Sequence, residues 1–251
     1  MSIRENLIFQ ADAAKQASRK LAKSASGEKN KALNIIADKL IERQDEILGI
    51  NQEDMKKGEK NGLNRALLDR LKLTESRIEG MAQGLREVAA QEDPIGEVPH
   101  MWKRPNGLQI GKIRVPLGVI GIIYEARPNV TVDVAGLCLK SGNAVILRGG
   151  SNAFNSNQIL TNIIQDGLRE AGLPEESVQL IGTTDRKAVD ILFTLNNYLD
   201  VLIPRGGAGL IQKVVNESKV PVIETGVGNC HVYVNKDADL RKAKKIVFNA
   251  K

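Results

Sequence analysis

The chain has 251 residues, of which 42% are apolar and only 3% aromatic, so aliphatic side chains must fill its core. Its net charge of +6 falls entirely within residues 101–251, because the first hundred residues balance cations against anions. With base-stacking aromatics so scarce and no compact Lys/Arg cluster, this charge argues against nucleic acid and for a small anionic ligand.

No apolar run approaches the roughly 18 residues of a membrane span, and the first residues contain no secretory h-region. The two cysteines, Cys138 and Cys230, form no disulfide framework. The reading is a cytoplasmic protein without a membrane partner.

In chain order, residues 1–100 carry helical periodicity throughout. In "KALNIIADKLIERQDEILGIN", Leu33, Ile36, Leu40, Ile47 and Ile50 recur at a spacing near 3.6. "TESRIEGMAQGLREVAAQ" has Thr74 as its N-cap. The charges on these helices are expected only to solvate their outer faces. Pro94 and Pro99 end the helical part. "GLQIGKIRVPLG" alternates and carries glycines, so it reads as a hairpin or extended arm.

From Val119 onward, short apolar strands alternate with amphipathic helices. The strands are "VIGIIY", "AVILRGG", "VQLIG", "DVLIPRGG", "VPVIET" and "HVYVN". This alternation predicts an α/β fold with an open, twisted, mainly parallel Rossmann-like sheet. The expected divisions are 1–104, a helical part of the cofactor domain; 105–117, an oligomerisation arm; 118–235, the Rossmann-like sheet; and 236–251, the start of a catalytic domain.

Such sheets bind ligands beyond the carboxyl ends of their strands. The strand ends supply Glu125, Arg127 and Asn129; Arg148, Gly149, Ser151 and Asn152; Gly182 and Thr183; Arg205, Gly206 and Gly207; and Glu224. Two Arg-Gly-Gly loops on one sheet edge suit a phosphate-bearing ligand. Neither the G-x-G-x-x-G fingerprint nor a P-loop is present. An arginine after the second strand fits a 2′-phosphate better than a free 2′-hydroxyl, which favours NADPH over NADH. His100 and His231 lie far apart, and no Cys/His cluster has ligand spacing, so no metal is expected.

The segments "VPLGVIGIIYEARPNVTVDVAGLCLKSGNAVILRGG", "IPRGGAGLI" and "VPVIETGVGNCHVYV" together resemble gamma-glutamyl phosphate reductase, also called glutamate-5-semialdehyde dehydrogenase, of the aldehyde dehydrogenase superfamily. The resemblance spans essentially the whole chain. It implies NADPH-dependent reduction of gamma-glutamyl phosphate to glutamate-5-semialdehyde and phosphate in proline synthesis, through an acyl-thioester on a cysteine. A homo-oligomer is implied for the full-length family member.

Carried over residue by residue, Arg148, Ser151 and Asn152 would face the adenosine 2′-phosphate. Gly206 and Gly207 would lie against the pyrophosphate or nicotinamide. Glu224 matches the glutamate beside the nicotinamide, the general base of aldehyde-oxidising relatives, and Arg127 and Asn129 would contact substrate. In that family the reactive cysteine follows an "NAK" segment. This chain has "IVFNAK" ending at Lys251, so the expectation is a chain that binds NADPH but lacks the nucleophile.

Cys230 and His231 imitate a thiol–imidazole pair. As neighbours on an expected strand they would point to opposite faces, which makes Cys230 structural. Cys138 reads as core. The alternative function is a non-catalytic nucleotide-binding or scaffolding module, with an RNA-binding surface as a weaker third reading.

Overall fold

The computed structural model describes residues 2–125, 127–224, 226 and 230–250. Five helices come first: α1 (Ile3–Leu21), α2 (Ser26–Glu42), α3 (Gln44–Lys60), α4 (Arg65–Leu71) and α5 (Glu75–Ala90). Ser2 and Glu5 close a reciprocal capping box at α1, and the Thr74 hydroxyl accepts the Arg77 N–H at α5, as its sequence position predicts. The long periodic stretch divides in two. Arg43, at φ −101° and ψ 23°, ends α2 and precedes α3, and its guanidinium binds Glu46 and Asp166.

The arm is a hairpin. β1 (His100–Lys103) pairs antiparallel with β2 (Gln109–Lys112). The expected arm sequence supplies only its second strand. The first, "HMWK", is too short and too exposed to show alternation.

The central sheet contains β3 (Val119–Tyr124), β4 (Ala144–Arg148), β5 (Val178–Leu180) and β6 (Val201–Arg205), all parallel, in the order β5-β4-β3-β6. The crossovers are α6 (Asn129–Lys140) after β3, α7 (Phe154–Ala171) after β4 and α8 (Lys187–Leu192) after β5. α9 (Ala208–Glu217) follows β6, and α10 (Leu240–Asn249) lies further along.

Strand alternation divides the core between the two faces of the sheet. Ile120, Ile122 and Tyr124 join a cluster with α2, α5, α6 and α7, while Val119 and Ile123 join another with α1 and α8. Gly121 carries no side chain because Leu202 and Leu199 lie over it: a Cβ there would stand 2.3 and 2.7 Å from their methyl carbons.

Two expected strands do not form. "VPVIET" makes a single parallel bridge, Leu202 with Val222. Its two rungs run from Leu202 N–H to Pro221 O and from Ile223 N–H to Leu202 O. The next rung would need an N–H from residue 204, which is proline, so the ladder stops there. "HVYVN" lies exposed with no strand partner among the described residues. Its alternation therefore does not set Cys230 and His231 on opposite faces of a sheet.

Not all helix charges solvate a surface. Lys29, Asp54 and Lys140 are only 2%, 2% and 4% exposed, and each is held by hydrogen bonds or an ion pair across elements.

Candidate functional site

The chain runs from β3 out to β4 and β5 on one side, then returns to place β6 on the other side of β3. The reversal makes the carboxyl ends of β3 and β6 the switch point, where an open α/β sheet leaves a crevice. Register puts the two Arg-Gly-Gly loops level: Ile123 pairs with Arg148 on one flank, and Tyr124 with Arg205 on the other. With β3 between them, their backbones stand about 9–10 Å apart, twice the strand spacing.

The crevice has a volume of 540 Å³ and is bounded by Glu125, Arg127, Asn129 and the Arg205–Gly206–Gly207 turn. A second hollow of 380 Å³ continues it beneath α4 and α5, and the two share Arg70, Arg127, Asn129 and Asp133. The Gly207 N–H at the start of α9 donates to Glu125 Oε1 at 2.9 Å. No side chain caps α9, so this helix end already attracts one carboxylate from across the switch point.

The structure thus gathers Arg127, Asn129, Gly206 and Gly207 as the strand-end rule predicts. It includes Glu125 from the same strand end, and adds Arg70 and Asp133, which sequence reasoning did not single out. Arg70 and Asp133 sit inside helices, where charge reads as surface; only the packing of α4 on α3 and of α5 on α6 turns them toward a crevice.

Arg148 behaves differently from an open phosphate ligand. It is 9% exposed, and its two terminal amines donate to the carbonyls of Gly149 and Thr184, tying the β4 loop to the β5 loop. Burial and the nearby Arg186 cation hold its guanidinium below the ordinary value. Its Nε is buried without a partner among the described residues, as is Asn157 Nδ2. Buried donors of this kind are uncommon.

Both orphans flank the β4 loop. Asn157 Oδ1 accepts from Thr131, which in turn hydrogen-bonds the buried Tyr124 hydroxyl. Gly149 is packed against this chain, and a Cβ there would stand 2.1 Å from Asn157 Nδ2 and 3.1 Å from the Tyr124 ring. Gly149→Ala is therefore expected to cost about 1–3 kcal/mol through overpacking and to displace the loop. Denaturant unfolding and nucleotide titration of the variant check both effects.

The anion-attracting end of α7 is already occupied from within. The buried Asp54 carboxylate accepts the Ser156 N–H and hydroxyl, both at 2.8 Å. Ser151 and Asn152, in the single 3-10 turn before α7, remain at least partly open to solvent. Gly182 and Thr183 line a separate 390 Å³ hollow beside α1, with Phe9 and Gln10 on its far wall.

Glu224 is exposed, just past the lone bridge. No described hydrogen bond joins it to Cys230 or His231. Cys138 is buried in α6, where burial pushes its thiol up to about 12, which unsuits it for nucleophilic work. Among the described residues there is no group of three metal-ligating side chains, and no helix is long and apolar enough to cross a membrane.

The chain is similar to known proteins over its whole length. Residues 4–251 match the model described as "Aldehyde dehydrogenase family". The chain is 67% identical over 251 residues to a gamma-glutamyl phosphate reductase of Halothermothrix orenii, covering all of this chain and 60% of that one. A Moorella thermoacetica protein of the same name is 65% identical over 238 residues, or 95% of this chain and 57% of its own. A crystal structure of gamma-glutamyl phosphate reductase from Thermotoga maritima superposes with a TM-score of 0.89 at 47% identity, over 97% of this chain and 59% of that one. The chain thus spans about three-fifths of the length of the relatives it matches.

Proposed function

The chain belongs to the aldehyde dehydrogenase family, a family that uses a nicotinamide cofactor, and we propose that it is the cofactor-binding part of a gamma-glutamyl phosphate reductase. The activity proposed for the whole protein is NADPH-dependent reduction of gamma-glutamyl phosphate to glutamate-5-semialdehyde with release of phosphate. The observation that carries the reading is the placing of both Arg-Gly-Gly loops beside the end of one central strand, in a chain so close in sequence to proteins of that name.

The residues fit such a cofactor. Gly206 and Gly207 let a pyrophosphate approach the backbone at the start of α9, where it would displace the Glu125 carboxylate from the Gly207 N–H. Ser151 and Asn152, at least partly open to solvent beside the Arg148 loop, offer donors. Arg148 and Arg186 concentrate positive charge where β4 and β5 end, which favours a 2′-phosphate. The cofactor, when bound, supplies hydride; the chain's own residues orient it, shield it and hold the substrate's charge. Exposed Met101, Ile113 and Val115 on and beside the hairpin support association between copies.

Arg186 is the more open of the two cations, so it is the cleaner probe. Arg186→Glu is expected to weaken NADPH binding roughly tenfold or more and to leave NADH within about a factor of two, since only the former carries the extra phosphate. Titration calorimetry with both nucleotides checks this; equal losses would remove the 2′-phosphate from this end of the sheet. NADPH binding with no reductive turnover of gamma-glutamyl phosphate by any longer form of the protein would favour a non-catalytic nucleotide-binding module instead.

A further inference from the structure

We propose that Arg70 and Asp133 form a zwitterion-reading subsite that holds the α-carboxylate and α-ammonium of an amino-acid substrate, while its reacting end lies at the switch point; this deepens the function proposed above and rests on it. Both residues line both of the contiguous hollows. One is a cation from α4 and the other an anion from α6, so they approach the same space from different elements.

Neither has an opposite charge within 4 Å among the described residues, although the groove is rich in charge. Asp69, which lines the same hollow, is instead paired with Arg77 at 3.1 Å. Arg77 also donates to the carbonyls of Asp69 and Lys72 where α4 ends, so this pair is committed to structure.

Asp133 Oδ2 accepts only from Asn129 Nδ2, at 2.9 Å. Burial against the groove wall raises its carboxyl above the ordinary value, partly offset by that amide. A carboxylate that lacks a counter-charge in a partly desolvated groove favours a ligand cation. The Arg70 guanidinium presents a fork suited to a ligand carboxylate.

Leu67, Val130, Leu73 and Met81 supply apolar wall around the two charges, which suits a short methylene stem. The far end of the larger hollow reaches Glu125 and the Gly206–Gly207 turn. A ligand with a zwitterionic head, a three-carbon reach and an acyl end therefore matches the charges in order along the groove.

The test uses three small ligands and amide chemical-shift perturbation in α6. L-Glutamate carries both head-group charges, glutarate lacks the ammonium, and 4-aminobutyrate lacks the α-carboxylate. The unmodified chain is expected to bind L-glutamate roughly tenfold or more tighter than either analogue. Asp133→Asn should abolish the preference over glutarate while keeping that over 4-aminobutyrate, and Arg70→Gln should do the reverse.

Neither residue belongs to the buried core, so both variants should fold, and melting curves verify this. Equal weakening of all three ligands, no change in either ratio, or no shift in α6 on adding L-glutamate overturns the subsite. NADPH titration of the same samples reports separately on the parent reading. NADPH bound without head-group discrimination rejects the subsite alone; discrimination without NADPH binding supports the subsite and rejects the cofactor assignment.

Discussion

Asp93→Asn is expected to lower the unfolding free energy by about 3–5 kcal/mol, the range found when one partner of a buried ion pair is removed. Asp93 serves two buried cations. Its Oδ2 lies 2.5 Å from Lys29 Nζ, with the two side chains 10% and 2% exposed respectively. Lys140, 4% exposed, bonds Asn30 and the Ala89 carbonyl instead, and the negative charge of Asp93 favours its protonated form against the burial that lowers its pKa. Removing the carboxylate's charge leaves two ammonium groups in the seam between α2, α5 and α6 with no anion.

The same site predicts an acid limb. Burial alone would push the Asp93 carboxyl up, but hydrogen bonds from Lys29, Ser26 and the Ile95 N–H outweigh it and hold the pKa below the ordinary value. A carboxyl lowered in the folded state contributes stability above its unfolded value, near 4, and loses it as pH falls through the folded value. Denaturant unfolding from pH 7 to pH 2 should show that loss in the native protein, and a correspondingly weaker limb in Asp93→Asn. Adding Lys29→Met should restore part of the neutral-pH loss by deleting one unpaired charge. A penalty below about 1 kcal/mol for Asp93→Asn would mean that the lysines escape to solvent.

Sequence pattern and long-range chemistry explain different parts of this molecule. β3 and β4 were legible because fully buried parallel strands read as unbroken aliphatic runs, and the strand-end rule then located Gly206, Gly207, Arg127 and Asn129. "VPVIET" has the same composition but fails as a strand, because whether a rung closes depends on Pro204 in its neighbour. The buried charges were illegible for a related reason. Lys29, Lys140 and Asp93 meet only when three helices pack, and a lysine on a helix looks the same whether its face meets water or another helix. Arg148 reads as a ligand from its strand-end position and the resemblance; its bond to the Thr184 carbonyl, in the next crossover, has no signal in the sequence.

Asp54→Ala is expected to cost about 2–4 kcal/mol and also to weaken nucleotide binding, because one carboxylate organises the turn after the first Arg-Gly-Gly loop. Asp54 Oδ2 accepts the Ser156 N–H and hydroxyl, and Oδ1 accepts Asn155 Nδ2 at 2.8 Å. Ser156 is fully buried, so its backbone N–H would be left without water or partner, and each such buried donor costs about 1–3 kcal/mol. Asn51 cannot substitute, since its amide already donates to Leu71 O and Ser156 Oγ and its oxygen accepts the Leu73 N–H.

Loss of the negative charge also removes a favourable partner from the positive end of α7. Asp54→Asn separates shape from charge. One oxygen can still accept from Ser156, and an amide flip of Asn155 lets its oxygen meet the new donor, so most of the stability should return. Thermal unfolding and NADPH titration of the three proteins provide the measurement. If Asp54→Ala unfolds with the native protein, the first turn of α7 holds without its cap; if it destabilises but binds NADPH unchanged, the loop that carries Arg148 is set by the sheet and by the Thr184 carbonyl rather than by the helix that follows it.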